Sequence, residues 1–147
     1  LQFIAAIMPT VGFAIVFSAP METLLVSAIN GGMGWIVFKF VIDSTGSKYI
    51  AVFLSALSIT FVSEMLAKRL KYPASVFIIP GIINLVPGEG IYNTMSYFVN
   101  NQSELAIASF YSTIVVAGSI SFGVLLAVPF QHHLRVLEQE VLTVPII

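Results

Sequence analysis

Residues 73–100 read PASVFIIPGIINLVPGEGIYNTMSYFVN, and this stretch decides how the chain is built. Prolines stand seven residues apart at positions 73, 80 and 87, and glycines stand at 81, 88 and 90. Proline lacks a backbone N–H and clashes with the preceding helical turn, whereas glycine admits conformations closed to other residues. A continuous helix is therefore not expected here, and a structural break is predicted at Pro80, Gly81, Pro87 and Gly88.

The composition indicates the solvent in which this break lies. Of the 147 residues, 58% are hydrophobic and 9% are charged, and the mean hydropathy is +1.00. Ordinary globular domains have about 25% charged residues. Because so few charges cannot cover the surface of a soluble domain, a water-soluble monomer is excluded and the lipid bilayer is the natural solvent.

Charge-free windows recur along the whole chain and are apolar on all sides. Outer-membrane strands would instead alternate apolar and polar residues, so these windows predict helices. We predict an all-α polytopic membrane protein that forms one helical domain. Its membrane segments are expected at about 1–18, 23–42, 49–67, 73–99 (broken) and 105–130, since a span takes about 20 residues. Five segments are favoured, and four plus one shallow helix is the alternative.

The distribution of Lys and Arg predicts the orientation of these segments. The strongest cluster, Lys68, Arg69 and Lys71, is assigned to the cytoplasm by the positive-inside rule. Alternation then places the loops at 43–48 and 100–104 outside and returns the tail with Arg135 to the cytoplasm. Because residue 1 is Leu rather than Met, we expect the natural chain to begin upstream.

A polar stripe follows the second Pro-Gly pair. Glu89, Asn93, Ser96 and Asn100 are spaced by four, three and four residues, so they share one face of a helix. A carboxylate within a span is costly unless it is paired, hydrated or protonated, which makes Glu89 a functional candidate. The alternative is that Glu89 caps a half-helix or lies near the headgroups, because a carboxylate is favoured at a helix N-terminus.

Several other classes of protein do not fit the sequence. A net charge of −1 gives no basic surface for nucleic acid, and the absence of Cys excludes thiol chemistry. The chain has one aspartate, Asp43, no HExxH motif, and its histidines, His132 and His133, lie in the polar tail. We therefore expect neither an enzyme nor a cofactor or metal site.

The run IIPGIINLVPGEGIYNTM (residues 78–95), the early AAIMPTVGFAIVFSAP (residues 5–20) and the turn at residues 30–34 (NGGMG) resemble the threonine/serine exporter family, in particular its small split membrane subunit. The resemblance implies a transporter of the cell membrane that exports threonine and serine, or in some split pairs a dicarboxylate such as succinate. It also implies a larger partner subunit with a soluble region. The functional positions carried over are Pro80, Pro87, Gly88 and Tyr92, whereas Glu89 departs from the family pattern.

Two functions remain open at this point. In the first, the chain is one half of a secondary exporter; in the second, it is a non-transporting scaffold or assembly subunit. The substrate, the coupling ion and the presence of a homo-oligomer are left open. For the exporter, the expected partners are the larger subunit, a small-molecule substrate and the bilayer. The candidate substrate-binding residues are Glu89, Asn93, Gly88, Tyr92, Asn84 and Ser96.

Overall fold

The computed structural model describes the backbone of residues 2–142 and the side chains of residues 6–128. Within these limits the chain is helical, and no residue lies in a strand. The helices are α1 (Gln2–Val16), α2 (Met21–Thr45), α3 (Lys48–Leu70), α4 (Ser75–Ile82), α5 (Gly88–Val99) and α6 (Ser103–Leu142), with a 3₁₀ turn at Ile83–Leu85 between α4 and α5. The side chains of His132, His133 and Arg135 lie outside the described side chains.

Three helices are long and apolar enough to cross a membrane. They are α2, α3 and the described part of α6, Ser103–Val128. The pair α4–α5 passes the same test when taken together, although the two helices are bent by 47°. The all-α membrane fold with a broken helix is thus confirmed. The apolar part of α1 described with side chains, Ala6–Val16, is shorter than a span, so a fifth segment stays a prediction.

The connections between helices follow from residues that stop a helix. Gly46 ends α2 in the left-handed conformation, with φ of 67°, and its N–H donates to the Ile42 carbonyl at 2.9 Å. Glycine is favoured here because other residues are strained at positive φ. Pro20 precedes α2 and Pro73 precedes α4, positions at which the missing N–H costs little.

Small residues let the helices approach closely around α3. A Cβ on Gly34 or Gly81 would overlap the Ile59 side chain, and one on Gly123 would come within 2.7 Å of the Phe53 carbonyl oxygen. Since lipid gives apolar helices no hydrophobic reason to associate, close packing of this kind supplies much of the attraction. These glycines fix α2, α4 and α6 against α3.

Buried amides and hydroxyls connect the same helices. Asn30 on α2 is 2% exposed, and its Nδ2 donates to Ser63 Oγ at 2.8 Å and to the Ile59 carbonyl at 3.3 Å. Ser55 donates to the Gly34 carbonyl at 2.6 Å. Such bonds between membrane helices contribute about 0.6 kcal/mol each. They set the register of α2 against α3.

The two ends of the bundle can be recognised from contacts near the loops. Tyr72 Oη donates to Glu22 Oε2 at 3.1 Å, so the start of α2 lies beside the end of α3. This hydrogen bond and the negative charge of Glu22 raise the pKa of Tyr72. At the other end, Tyr49 Oη lies 3.3 Å from Ser112 Oγ. Which end faces the cytoplasm stays a prediction from the Lys and Arg distribution.

Candidate functional site

The break between α4 and α5 lies at residues 83–87. Helix α4 tightens into the 3₁₀ turn, Val86 turns extended with ψ of 129°, and α5 begins after Pro87. The Val86 N–H donates to the Ile83 carbonyl at 3.3 Å, while Pro87 has no N–H to continue a helix. Pro87 therefore lies at the break, as the sequence predicts.

The first Pro-Gly pair behaves differently. Pro80 and Gly81 are buried within α4, and the helix continues past them. The missing N–H of Pro80 leaves the Val76 carbonyl without its usual helical donor, and Ser27 Oγ on α2 donates to that carbonyl at 3.5 Å. This corrects the expected position of the break, because a donor from a neighbouring helix replaces the lost bond.

A cavity of about 300 Å³ lies beside the break. It is lined by residues of α2, α3, the 3₁₀ turn, α5 and α6. Two of the predicted substrate-binding residues, Asn84 and Glu89, line it, together with the break residue Pro87. The broken segment thus forms one wall of a concave site that the first turn of α3 also lines.

Glu89 brings a negative charge to this wall. It is exposed and lies in the first turn of α5, where the helix dipole favours a carboxylate. Its carboxylate makes none of the hydrogen bonds described for residues 6–128, and α5 has no side-chain cap hydrogen bond. Capping by a side-chain hydrogen bond is therefore not observed, and the carboxylate is available to a ligand in the cavity.

Asn84 is held in a fixed orientation by α1. Its Nδ2 donates to the Ala6 carbonyl at 3.0 Å and to Thr10 Oγ1 at 2.9 Å. A carbonyl oxygen accepts and cannot donate, so the NH₂ group must face α1. Asn84 Oδ1 is then the end of the amide that no described hydrogen bond uses, on a residue that lines the cavity.

The other walls contain residues that the sequence argument did not select. Lys48 comes from the first turn of α3, Trp35 from α2, and Ser112 and Thr113 from α6. Trp35 stacks on Phe38 with ring centroids 5.2 Å apart. No sequence signal connects Lys48 with Glu89, because the two belong to different helices and come to line one cavity only through tertiary packing.

The remaining predicted binding residues do not line this cavity. Tyr92 is 72% exposed on α5, and Gly88 faces open space, with no described atom within 4 Å of a Cβ built on it. Asn93 and Ser96 are half-buried on the same helix. Of the polar stripe, the structure thus brings Glu89 into the cavity and leaves the other members along an open face of α5.

Gly90 joins α5 to α6 directly below Glu89. Its carbonyl accepts from Thr94 Oγ1 at 2.7 Å and from Ser109 Oγ at 3.2 Å, and the two hydroxyls lie 3.1 Å apart. A Cβ on Gly90 would overlap Thr113 Oγ1. The glycine allows the two helices to touch, which holds the start of α5 at the level of Ser112 and Thr113.

Comparison with known proteins shows the family of the chain. The family described as Threonine/Serine exporter, ThrE, matches residues 2–129, which is most of the chain. The chain belongs to the threonine/serine exporter family. Together with the apolar helices, membership identifies it as a multi-pass protein of the cell membrane, and confirms the resemblance seen in residues 5–20 and 78–95.

Two relatives show how much of a longer protein this chain matches. An uncharacterized protein of Haemophilus influenzae is 29% identical over 129 residues, which cover 82% of this chain and 43% of the relative. A threonine/serine exporter of Corynebacterium glutamicum is 24% identical over 134 residues, covering 91% of this chain and 27% of the relative. The chain therefore spans less than half the length of either relative. No solved structure matches it.

Proposed function

We propose that the chain is a membrane subunit that acts as one half of a secondary exporter and moves small amino acids such as threonine or serine out of the cell. The observation that carries the proposal is the cavity of about 300 Å³ beside the break, which Glu89 and Asn84 line. Membership of the exporter family supports transport over catalysis. A small dicarboxylate is the alternative substrate class.

A larger partner subunit completes the transporter in this proposal. The matched region makes up only 43% and 27% of the two relatives, so those proteins carry more chain than this one does. Substrate sites in transporters lie commonly between two halves of the molecule. Gly88, Tyr92, Asn93 and Ser96 then act in substrate binding on the open face of α5, where the second half would meet them.

Substrate efflux measured with and without the partner tests this function. Cells are loaded with threonine and the chain is expressed alone, with its partner, or not at all. We expect efflux above background only when both subunits are present, since substrate sites in transporters commonly lie between two halves of the molecule. If the chain alone gives the same efflux as the chain with its partner, the transporter is a homo-oligomer and needs no partner subunit.

The non-transporting scaffold is the second candidate. It predicts that the partner exports threonine alone once inserted, and that Asn84→Ala and Glu89→Gln leave efflux unchanged at equal membrane abundance. The exporter half predicts reduced efflux from both variants, because Asn84 and Glu89 line the cavity.

A further inference from the structure

The cavity beside the break is lined by charged groups of both signs. Glu89 lies in the first turn of α5 and Lys48 in the first turn of α3, on different walls of the same space. The two helix starts lie at one level because Tyr49 meets Ser112 and Gly90 meets Thr113. Among the described residues an ion pair joins Lys39 to Asp43 at 3.1 Å. Neither Lys48 nor Glu89 takes part in it.

The acceptors are concentrated on the side of the break. Helix α1 accepts two hydrogen bonds from the NH₂ group of Asn84. No described hydrogen bond uses Oδ1 of the same amide. Glu89, five residues further along the chain, contributes a carboxylate to the same cavity. An ammonium group has three N–H donors and no acceptor, so it fits this side of the cavity, whereas a carboxylate does not.

From this arrangement we propose that Lys48 binds the carboxylate of the substrate while Glu89 and Asn84 Oδ1 accept hydrogen bonds from its ammonium group. The inference rests on the proposed function and deepens it. It makes Lys48 a specificity-determining residue and the cavity a site for dipolar α-amino acids. A volume of about 300 Å³ lies at the lower end of the roughly 300–1,000 Å³ of small-molecule sites, which suits a small amino acid.

The same charges select against the alternative substrate. A dicarboxylate with one end at Lys48 places its other carboxylate against Glu89 and Asn84 Oδ1, which are both acceptors. Like charges in juxtaposition disfavour a wrong ligand strongly. A cavity with this distribution of charge therefore discriminates between the two substrate classes that family resemblance leaves open.

The pairing of Lys48 with the substrate carboxylate is tested in two ways. The carboxylate is removed from the ligand, and the positive charge of Lys48 is removed from the protein. Thermal stabilisation of the purified native assembly is titrated with L-threonine, with L-threoninamide, which lacks the carboxylate, and with succinate. We expect the wild type to bind threonine at least about tenfold more tightly than either analogue, because hydrogen bonds between charged groups are strong. Lys48→Gln is expected to weaken the binding of threonine about tenfold and to leave the binding of threoninamide unchanged.

Two further variants control for charge in general. Lys39→Gln removes an exposed positive charge that is paired with Asp43 outside the cavity. It is expected to leave the affinity for both threonine and threoninamide unchanged. Lys48→Arg keeps the charge and should keep the preference for threonine. Equal weakening of threonine and threoninamide by Lys48→Gln, or wild-type binding of succinate as tight as that of threonine, would overturn the inference.

Efflux of threonine from cells is measured in parallel to separate the inference from the proposed function. Wild-type efflux with the same efflux from Lys48→Gln at limiting threonine would reject the role of Lys48 and leave the exporter standing. A wild type that neither exports threonine nor is stabilised by it would reject both.

Discussion

Glu89 is the residue at which a structural and a functional role can be separated experimentally. Its carboxylate lies at a helix start, where the dipole favours it, and also lines the cavity without a described hydrogen bond. Glu104 lies in the first turn of α6 in the same relation to its helix, but it does not line the cavity. The two residues form a matched pair.

Glu89→Gln is expected to abolish threonine efflux or to remove its dependence on pH, with membrane abundance unchanged. Loss of a favourable dipole interaction alone costs no more than about 1 kcal/mol, and Glu104→Gln loses this interaction without touching the cavity. Efflux and its pH profile are measured for both variants. If Glu89→Gln behaves like Glu104→Gln, the carboxylate serves only the helix.

How far residue roles can be predicted from sequence is clear from Glu89 and Lys48. Glu89 was found because a carboxylate in an apolar stretch is rare and costly. Lys48 was placed in the loop at 43–48, which the alternation of the segments assigns to the outside. Its position in the cavity depends on the register between α3 and α5, which is set by contacts between helices and has no signature in the local sequence.

The two glycines in the first turn of α5, just after the break, have different roles. Gly88 begins α5 and faces open space, whereas Gly90 packs against the Thr113 side chain. Among the described residues the glycine with positive φ is Gly46, so neither Gly88 nor Gly90 is needed for a left-handed backbone. Gly90 is needed for close approach between α5 and α6.

Gly90→Ala is expected to destabilise the pairing of α5 with α6, because its methyl group would overlap Thr113 Oγ1. Overpacking of this kind costs typically 1–3 kcal/mol. Gly88→Ala adds the same methyl group in open space and should preserve or raise stability, since alanine is the better helix former. Thermal unfolding of both variants in detergent measures the difference, and equal midpoints would contradict the packing role of Gly90.

The broken helix itself was predictable, but its position was only partly so. Proline and glycine spacing indicates that a helix cannot run undisturbed, and Pro87 does lie at the break, just before α5 begins. Pro80 lies within α4 because Ser27, on another helix, donates to the Val76 carbonyl. Sequence rules for proline describe an isolated helix, and they cannot anticipate a donor supplied by a neighbour.

For the whole molecule, the distribution of Lys and Arg predicts the orientation in the membrane. Contacts near the loops place the start of α2 and the end of α3 together, with Gly46 at the opposite end. This arrangement agrees with alternating segments, and the sidedness rests on Lys68, Arg69 and Lys71.

Single cysteines test that orientation without background, because the chain has no Cys. Ser44→Cys at the end of α2 is expected to react with a membrane-impermeant maleimide in intact, right-side-out cells. Ser75→Cys at the start of α4 should react only in inside-out vesicles. Both are exposed serines, which avoids the left-handed backbone of Gly46. Labelling of both from one face would contradict the assignment.

The bend of 47° between α4 and α5 also places a pivot at Pro87, about which α5 and the start of α6 would swing as a lever. Helix α5 has 12 residues and is about 18 Å long at 1.5 Å per residue. A rotation of about 10° about Pro87 would carry its far end about 3 Å, together with the part of α6 bonded to it, by the same helix geometry. Glu89 lies beside the pivot and would hardly move. One rotation would therefore move the far end of α5 by a large distance and the carboxylate of Glu89 by a small one.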